Sequence, residues 1–176
     1  MGYASGFPVR LVAGRLALDF LNTADWLTEG GVAHEKLETL ADIAVWMEVA
    51  KLQEYPPPKT ADEVRAFRSD LRRIFLNLAA TNDRWPAVRK VLAVGGEAGV
   101  APDLRTTIAL AALSLLLDPR EAERIKLCEG DDCGWFFVDE SGSDRRRWCS
   151  METCGNRMKA RRHYGRKRHS DFERAG

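Results

Sequence analysis

The sequence predicts an α+β chain, with a mainly helical N-terminal domain over residues 1–120 carrying a few short strands, and a small cysteine-rich module over residues 124–176. Three observations predict it. Apolar residues recur at helical spacing through most of the stretch from Leu37 to Leu117. All four cysteines lie in 27 residues, spaced Cys128-x4-Cys133-x15-Cys149-x4-Cys154. Charge is segregated: residues 145–170 hold ten Lys/Arg against Glu152 alone, net +9, whereas residues 1–144 hold 16 basic and 23 acidic side chains, net −7.

Phe7 to Val12 alternates enough for a short strand closed by Gly14. Leu16 to Thr23 fits either period and is read as a helix, with Asp25 to Gly31 as a loop. Leu37 to Leu52 sets Leu37, Leu40, Ala41, Ala44, Val45 and Val49 on one face, and the helix stops before Pro56-Pro57-Pro58, where donors are missing. Thr60-x-x-Glu63 has the form of a capping box and opens a long helix with the stripe Val64, Phe67, Leu71, Ile74, Phe75 and Leu78. Pro86 suits a first helical turn, the helix it opens ends at Gly95-Gly96, and these glycines with Gly99 make a turn rather than a phosphate loop. Asp103 to Leu117 is the last large helix, and Asp118-Pro119 marks the domain boundary. Ile108 to Leu117 falls well short of the ~20 apolar residues of a membrane span, so no membrane partner is expected.

Cys128, Cys133, Cys149 and Cys154 are read as one Zn²⁺ site, because two cysteine pairs joined by a hairpin-length connector bring four thiolates to a tetrahedral ion. Four sulfurs leave no position for a catalytic water. Two disulfides are the competing reading. They suit an oxidising compartment, and Met1 to Pro8 has no apolar leader, so a reducing cytoplasmic location is expected. A redox dithiol would use a two-residue interval rather than four. Trp135 to Val138 has strand propensity, Asp139 to Asp144 forms turns, and Arg145 to Trp148 is expected to return as the second strand. A helix from Gly155-Asn156 to about His169 would place its positive end beside the thiolates. Knuckle, hairpin and helix in that order describe a treble-clef-like module. Trp135, Phe137 and Trp148 are expected to pack over the metal site rather than stack on bases.

The run Arg145-Arg146-Arg147-Trp148-Cys149-Ser150-Met151-Glu152-x-Cys154-Gly155-Asn156-Arg157-x-Lys159-x-Arg161-Arg162 resembles the zinc finger of the CGNR family, and Cys128-x4-Cys133-Gly134-Trp135-x-Phe137-x-Asp139-x-Ser141 is similar to its first half. Leu16-Ala17-Leu18-Asp19-Phe20-Leu21-Asn22-Thr23 resembles the opening of the ABATE domain that precedes that finger. The resemblance implies a bacterial transcription regulator linked to stress.

The basic segment is the expected nucleic-acid surface, duplex DNA being the partner: Arg145, Arg146, Arg147, Asn156, Arg157, Lys159, Arg161, Arg162, Arg166, Lys167 and Arg168. Asn156 suits a helix cap as well as an adenine contact, and Arg157 divides between bracing the knuckle and reading DNA. A zinc-stabilised protein-interaction or RNA-binding module is the alternative. Asp19, Asn22 and Thr23 form a polar cluster in an apolar run; they either tie the backbone or line a pocket for a small-molecule effector. With histidine only at His34, His163 and His169, no catalytic constellation is visible and no enzyme is expected.

Overall fold

A computed structural model describes residues 2–27, 31–95, 102–131 and 133–164. Its helices are α1 (Leu16–Leu21), α2 (Leu40–Val49), α3 (Ala61–Thr81), α4 (Arg84–Gly95), α5 (Leu104–Leu117) and α6 (Pro119–Ala122), followed by a C-terminal helix described below. Two antiparallel hairpins accompany them, β1 (Ala24–Trp26) with β2 (Val32–Glu35), and β3 (Ile125–Leu127) with β4 (Phe136–Val138). The α+β class is as predicted, and no helix among the described residues is long and apolar enough to cross a membrane.

The helix starts follow from side-chain caps. Thr39 accepts from the Asp42 N–H while Asp42 accepts from the Thr39 N–H, so α2 begins at Leu40 rather than Leu37. Thr60 caps α3 through the Glu63 N–H, and Asp103 caps α5 through the Thr106 N–H. The predicted α3 stripe is buried throughout. Arg68 and Arg72 are buried on the same helix, which a hydrophobic count does not anticipate.

Two local expectations are corrected. Residues 7–12 form no strand, and only an isolated bridge joins Gly2 to Pro8. The segment read as a loop after Asp25 contains β1 and β2, because Trp26 and Ala24 are buried beneath the cysteine module. Asp118-Pro119 ends α5 as expected, and Asp118 also accepts from the Arg120 N–H to start the short α6. Gly95 closes α4, and the predicted turn at Gly96 and Gly99 lies outside the described residues.

α5 packs on α1 and α4, and α3 packs on α4 and α1. Their shared core includes Leu18, Phe20, Phe75, Ile108 and Leu116, and it extends across the expected boundary to Ile125, Phe136 and Val138. The Phe136 ring lies 5.9 Å from that of Phe75 on α3. At about 1.5–3 kcal/mol for each large apolar side chain buried, these three residues weld the cysteine module to the helices.

Candidate metal centre

Cys128 follows β3 directly, and its N–H donates to the Trp135 carbonyl at 2.8 Å, continuing the β3–β4 ladder into the loop. Cys128 and Cys133 therefore sit at the tip of a hairpin that flanks them. The expected return strand at Arg145–Trp148 is absent; there one backbone bond, from the Glu129 N–H to the Arg147 carbonyl at 3.0 Å, helps bring Cys149 to the first pair. The second pair opens the C-terminal helix. Its first turn, Met151–Gly155, is a wide π-helical turn, and the helix continues over residues 156–164. Ser150 caps it through the Thr153 N–H, so the start lies upstream of Gly155-Asn156 and Cys154 is inside the turn. An added Cβ on Gly155 would lie 2.7 Å from the Met151 sulfur, the end of an exposed, flexible side chain that can shift.

All four sulfurs are buried and lie within 4.8 Å of one another. Cys133 to Cys149 and Cys149 to Cys154 are each 3.7 Å between sulfurs. A tetrahedral ion with Zn–S bonds of about 2.3 Å requires sulfur separations of about 3.8 Å, so the donor set fits zinc in size and chemistry. Backbone N–H groups of Gly130 and Cys149 point at the Cys128 sulfur at 3.4 and 3.3 Å, and Arg157 Nη2 at that of Cys154 at 3.3 Å. Donors aimed at sulfur stabilise thiolate. Without a cation, the neighbouring Cys128 sulfur, with burial, pushes the Cys133 and Cys149 thiols up. A bound zinc ion would supply the positive charge that keeps all four ionised, and would link the two halves.

Asp139 organises the connector. Its fully buried carboxylate accepts from Lys126 Nζ at 2.8 Å, from the Ser141 N–H at 2.9 Å and hydroxyl at 2.6 Å, and from the Arg146 N–H at 2.9 Å. Burial opposes ionisation, yet these donors hold the group well below the usual carboxylate range. The sequence presented Asp139 as a turn former and as part of the motif similar to the finger's first half, with no role in bracing the connector. Arg146 then braces the second knuckle, donating to the carbonyls of Trp148, at 2.9 Å, and of Cys149 while its guanidinium lies 4.6 Å from the Phe137 ring centre.

Comparison with protein families agrees with this arrangement. Residues 14–123 match the ABATE model, described as "Putative stress-induced transcription regulator". The chain belongs to the ABATE family. Residues 124–167 match the CGNR zinc finger, so the metal centre described above is that finger's. No curated protein matches the chain.

Within this ABATE protein the expected basic surface divides. Arg146 and Arg157 serve the cysteine knuckles, Arg147 pairs with Glu129, and Arg161 pairs with Asp131. Arg145, Lys159 and Arg162 are exposed and make no ion pair among the described residues. Asn156 is exposed and donates to the Glu152 carbonyl at 3.3 Å; it is not the cap, because Ser150 is. Arg166, Lys167 and Arg168 lie outside the described residues. Trp135 and Phe137 are buried with the cysteines, and Trp148 packs on them.

Asp19, Asn22 and Thr23 are buried, and their hydrogen-bonding atoms face the protein's own groups. Asp19 accepts from the Ala13 N–H at 2.8 Å, and the Thr23 hydroxyl donates to the Phe20 carbonyl at 2.7 Å. Asn22 joins the two family segments: its Nδ2 donates to the Phe136 carbonyl and its Oδ1 accepts from the Phe136 N–H, both at 2.9 Å. The side-chain amide thus imitates a neighbouring strand for β4. These contacts use the cluster as an internal clamp where an effector pocket was the other expectation.

Proposed function

We propose that this ABATE protein is a cytoplasmic DNA-binding transcription regulator, in which a zinc-loaded CGNR finger presents its C-terminal helix to duplex DNA. The carrying observation is the helix over residues 156–164: it starts at the metal centre and is exposed over nearly all its length, with Lys159 and Arg162 outside any ion pair among the described residues. Arg145 flanks it, and Arg166, Lys167 and Arg168 extend its charge along the sequence. These six cations suit phosphates, which supply affinity without sequence choice. The ABATE segment carries the opposite charge and stays clear of the polyanion. The reading gives the chain no catalytic role, since four sulfurs close the coordination sphere.

About six phosphate contacts predict a slope of log affinity against log salt of roughly −5 for duplex DNA. Neutralising Lys159, Arg162, Arg166 and Lys167 together should weaken binding to all duplex sequences and bring the slope close to −2. Mobility shift over a salt series measures both. Duplex binding absent at low salt, or unmoved by the four substitutions, refutes the reading; retention of structured RNA or an acidic protein instead would identify the finger as a different interaction module.

A further inference from the structure

α3 carries two arginines one turn apart, and both are buried, Arg68 at 1% and Arg72 at 6% relative exposure. Arg68 has a carboxylate: it pairs with Glu35 and also donates to the Thr23 hydroxyl at 2.9 Å. Arg72 has none among the described residues. Its guanidinium lies 4.1 Å from the Trp26 ring centre and 5.2 Å from that of Phe136, and its one hydrogen bond among the described residues runs from Nη1 to the Gly134 carbonyl at 2.8 Å. Burying a charge without an opposite charge is expensive. Burial pushes Arg72 down to about 10, and Arg68 beside it acts in the same direction, so it remains a cation at neutral pH.

The backbone at Gly134 is built to admit this arginine. Gly134 follows the second ligand directly and has φ +58°, and a Cβ there would stand 2.7 Å from Trp26 Cβ and 3.0 Å from Arg72 Nη2. The Trp26 N–H donates to the Cys133 carbonyl at 3.3 Å, fixing the same knuckle against the same side chains. Four thiolates around one Zn²⁺ leave a net charge of −2. Arg157 meets one side of that charge at the Cys154 sulfur.

We propose that Arg72 is the second counter-charge of the zinc tetrathiolate, supplied by the ABATE segment to the CGNR finger, so that metal retention depends on the docking of α3 against the first knuckle. Arg72 is thereby a positioning residue acting through Cys133 and Gly134, and the inference rests on the four-cysteine zinc site. Lys36 lines a cavity with Cys133, Cys149, Cys154 and Arg157, away from Arg72, and is paired with Asp25 at 2.7 Å.

The test uses the full chain loaded with zinc. Arg72→Met keeps an apolar side chain between Trp26 and Phe136 and removes the charge; Arg72→Lys restores the charge, and Arg73→Gln changes an exposed arginine on the same helix. Arg72→Met should weaken zinc about 10–100-fold in competition with a chromophoric chelator, Arg72→Lys should recover much of the loss, and Arg73→Gln should match the parent. In the cobalt-substituted chain, Arg72→Met should move the sulfur-to-metal charge-transfer band to longer wavelength. The thermal midpoint should fall for Arg72→Met with zinc present, and much less with zinc removed, where the unfolded finger no longer encloses residue 72. A midpoint lowered equally in both states, with affinity and band unmoved, overturns the proposal and leaves Arg72 as packing. Elemental analysis showing no stoichiometric zinc in the parent chain overturns the metal site itself, a separate outcome.

Discussion

The ABATE segment and the CGNR finger are stabilised by different physics. In the first, helices with capped ends bury apolar stripes, and its buried Arg68 is paired with Glu35. In the second, the regular structure among the described residues is one hairpin of three-residue strands and one helix, and its order comes from four sulfurs, the Asp139 carboxylate and guanidinium braces. The large apolar groups of β4 point partly away from the metal: Phe136 and Val138 belong to the helical core, while Phe137 faces the cysteines. The difference teaches that two adjoining family segments need not be two cores. The finger brings its own chemistry but shares its hydrophobic support, and the ABATE segment is completed by a strand that lies in the finger.

Metal removal tests this comparison most severely. Chelation, or Cys149→Ser, should unfold the finger, because metal binding and folding are coupled in such sites. The shared core predicts that amides of α1 and α3 also exchange faster in hydrogen-exchange measurements; unchanged protection there would restore the picture of independent modules. Phe136→Ala comes next, at about 3–5 kcal/mol in denaturant unfolding, because it empties a site against Phe75 in the helical core. A loss confined to the finger would break the comparison. Asn22→Ala should cost about 2–3 kcal/mol by leaving the Phe136 N–H and carbonyl without partners, and Asn22→Asp should not rescue it, since a carboxylate cannot donate to that carbonyl.

The smallest expected effect sharpens the contrast through pH. Burial pushes Asp19, in the ABATE segment, up to about 6 against its backbone donors. The folded state therefore holds this proton more tightly than the unfolded chain, and stability from this group is lost as pH rises from about 4 to 6, on the order of 2 kcal/mol. Asp139 in the finger has the opposite sign: its depressed value adds stability above the ordinary carboxylate range that is lost as pH falls towards its folded value. Asp19→Asn should remove the loss between pH 4 and 6, and Asp139→Asn should flatten the acid limb, both followed by chemical denaturation over a pH series.

The sequence by itself determined the features whose signal is local. Cysteine spacing named the ligands, Thr60 and Asp103 named their helix starts, and the α3 stripe named a buried face, because a cap, a ligand pair and a helical period each involve residues a few positions apart. The tertiary structure alone decided that Asn22 clamps Phe136, that Arg72 meets Gly134, that Arg146 and Arg161 are engaged within the finger, and that the hairpin flanks the first knuckle. Arginine at 72 or 146 looks in sequence like any solvated charge. Whether it faces water, a carbonyl or a metal-bound sulfur depends on which distant segment folding brings beside it, and composition and periodicity carry no record of that neighbour.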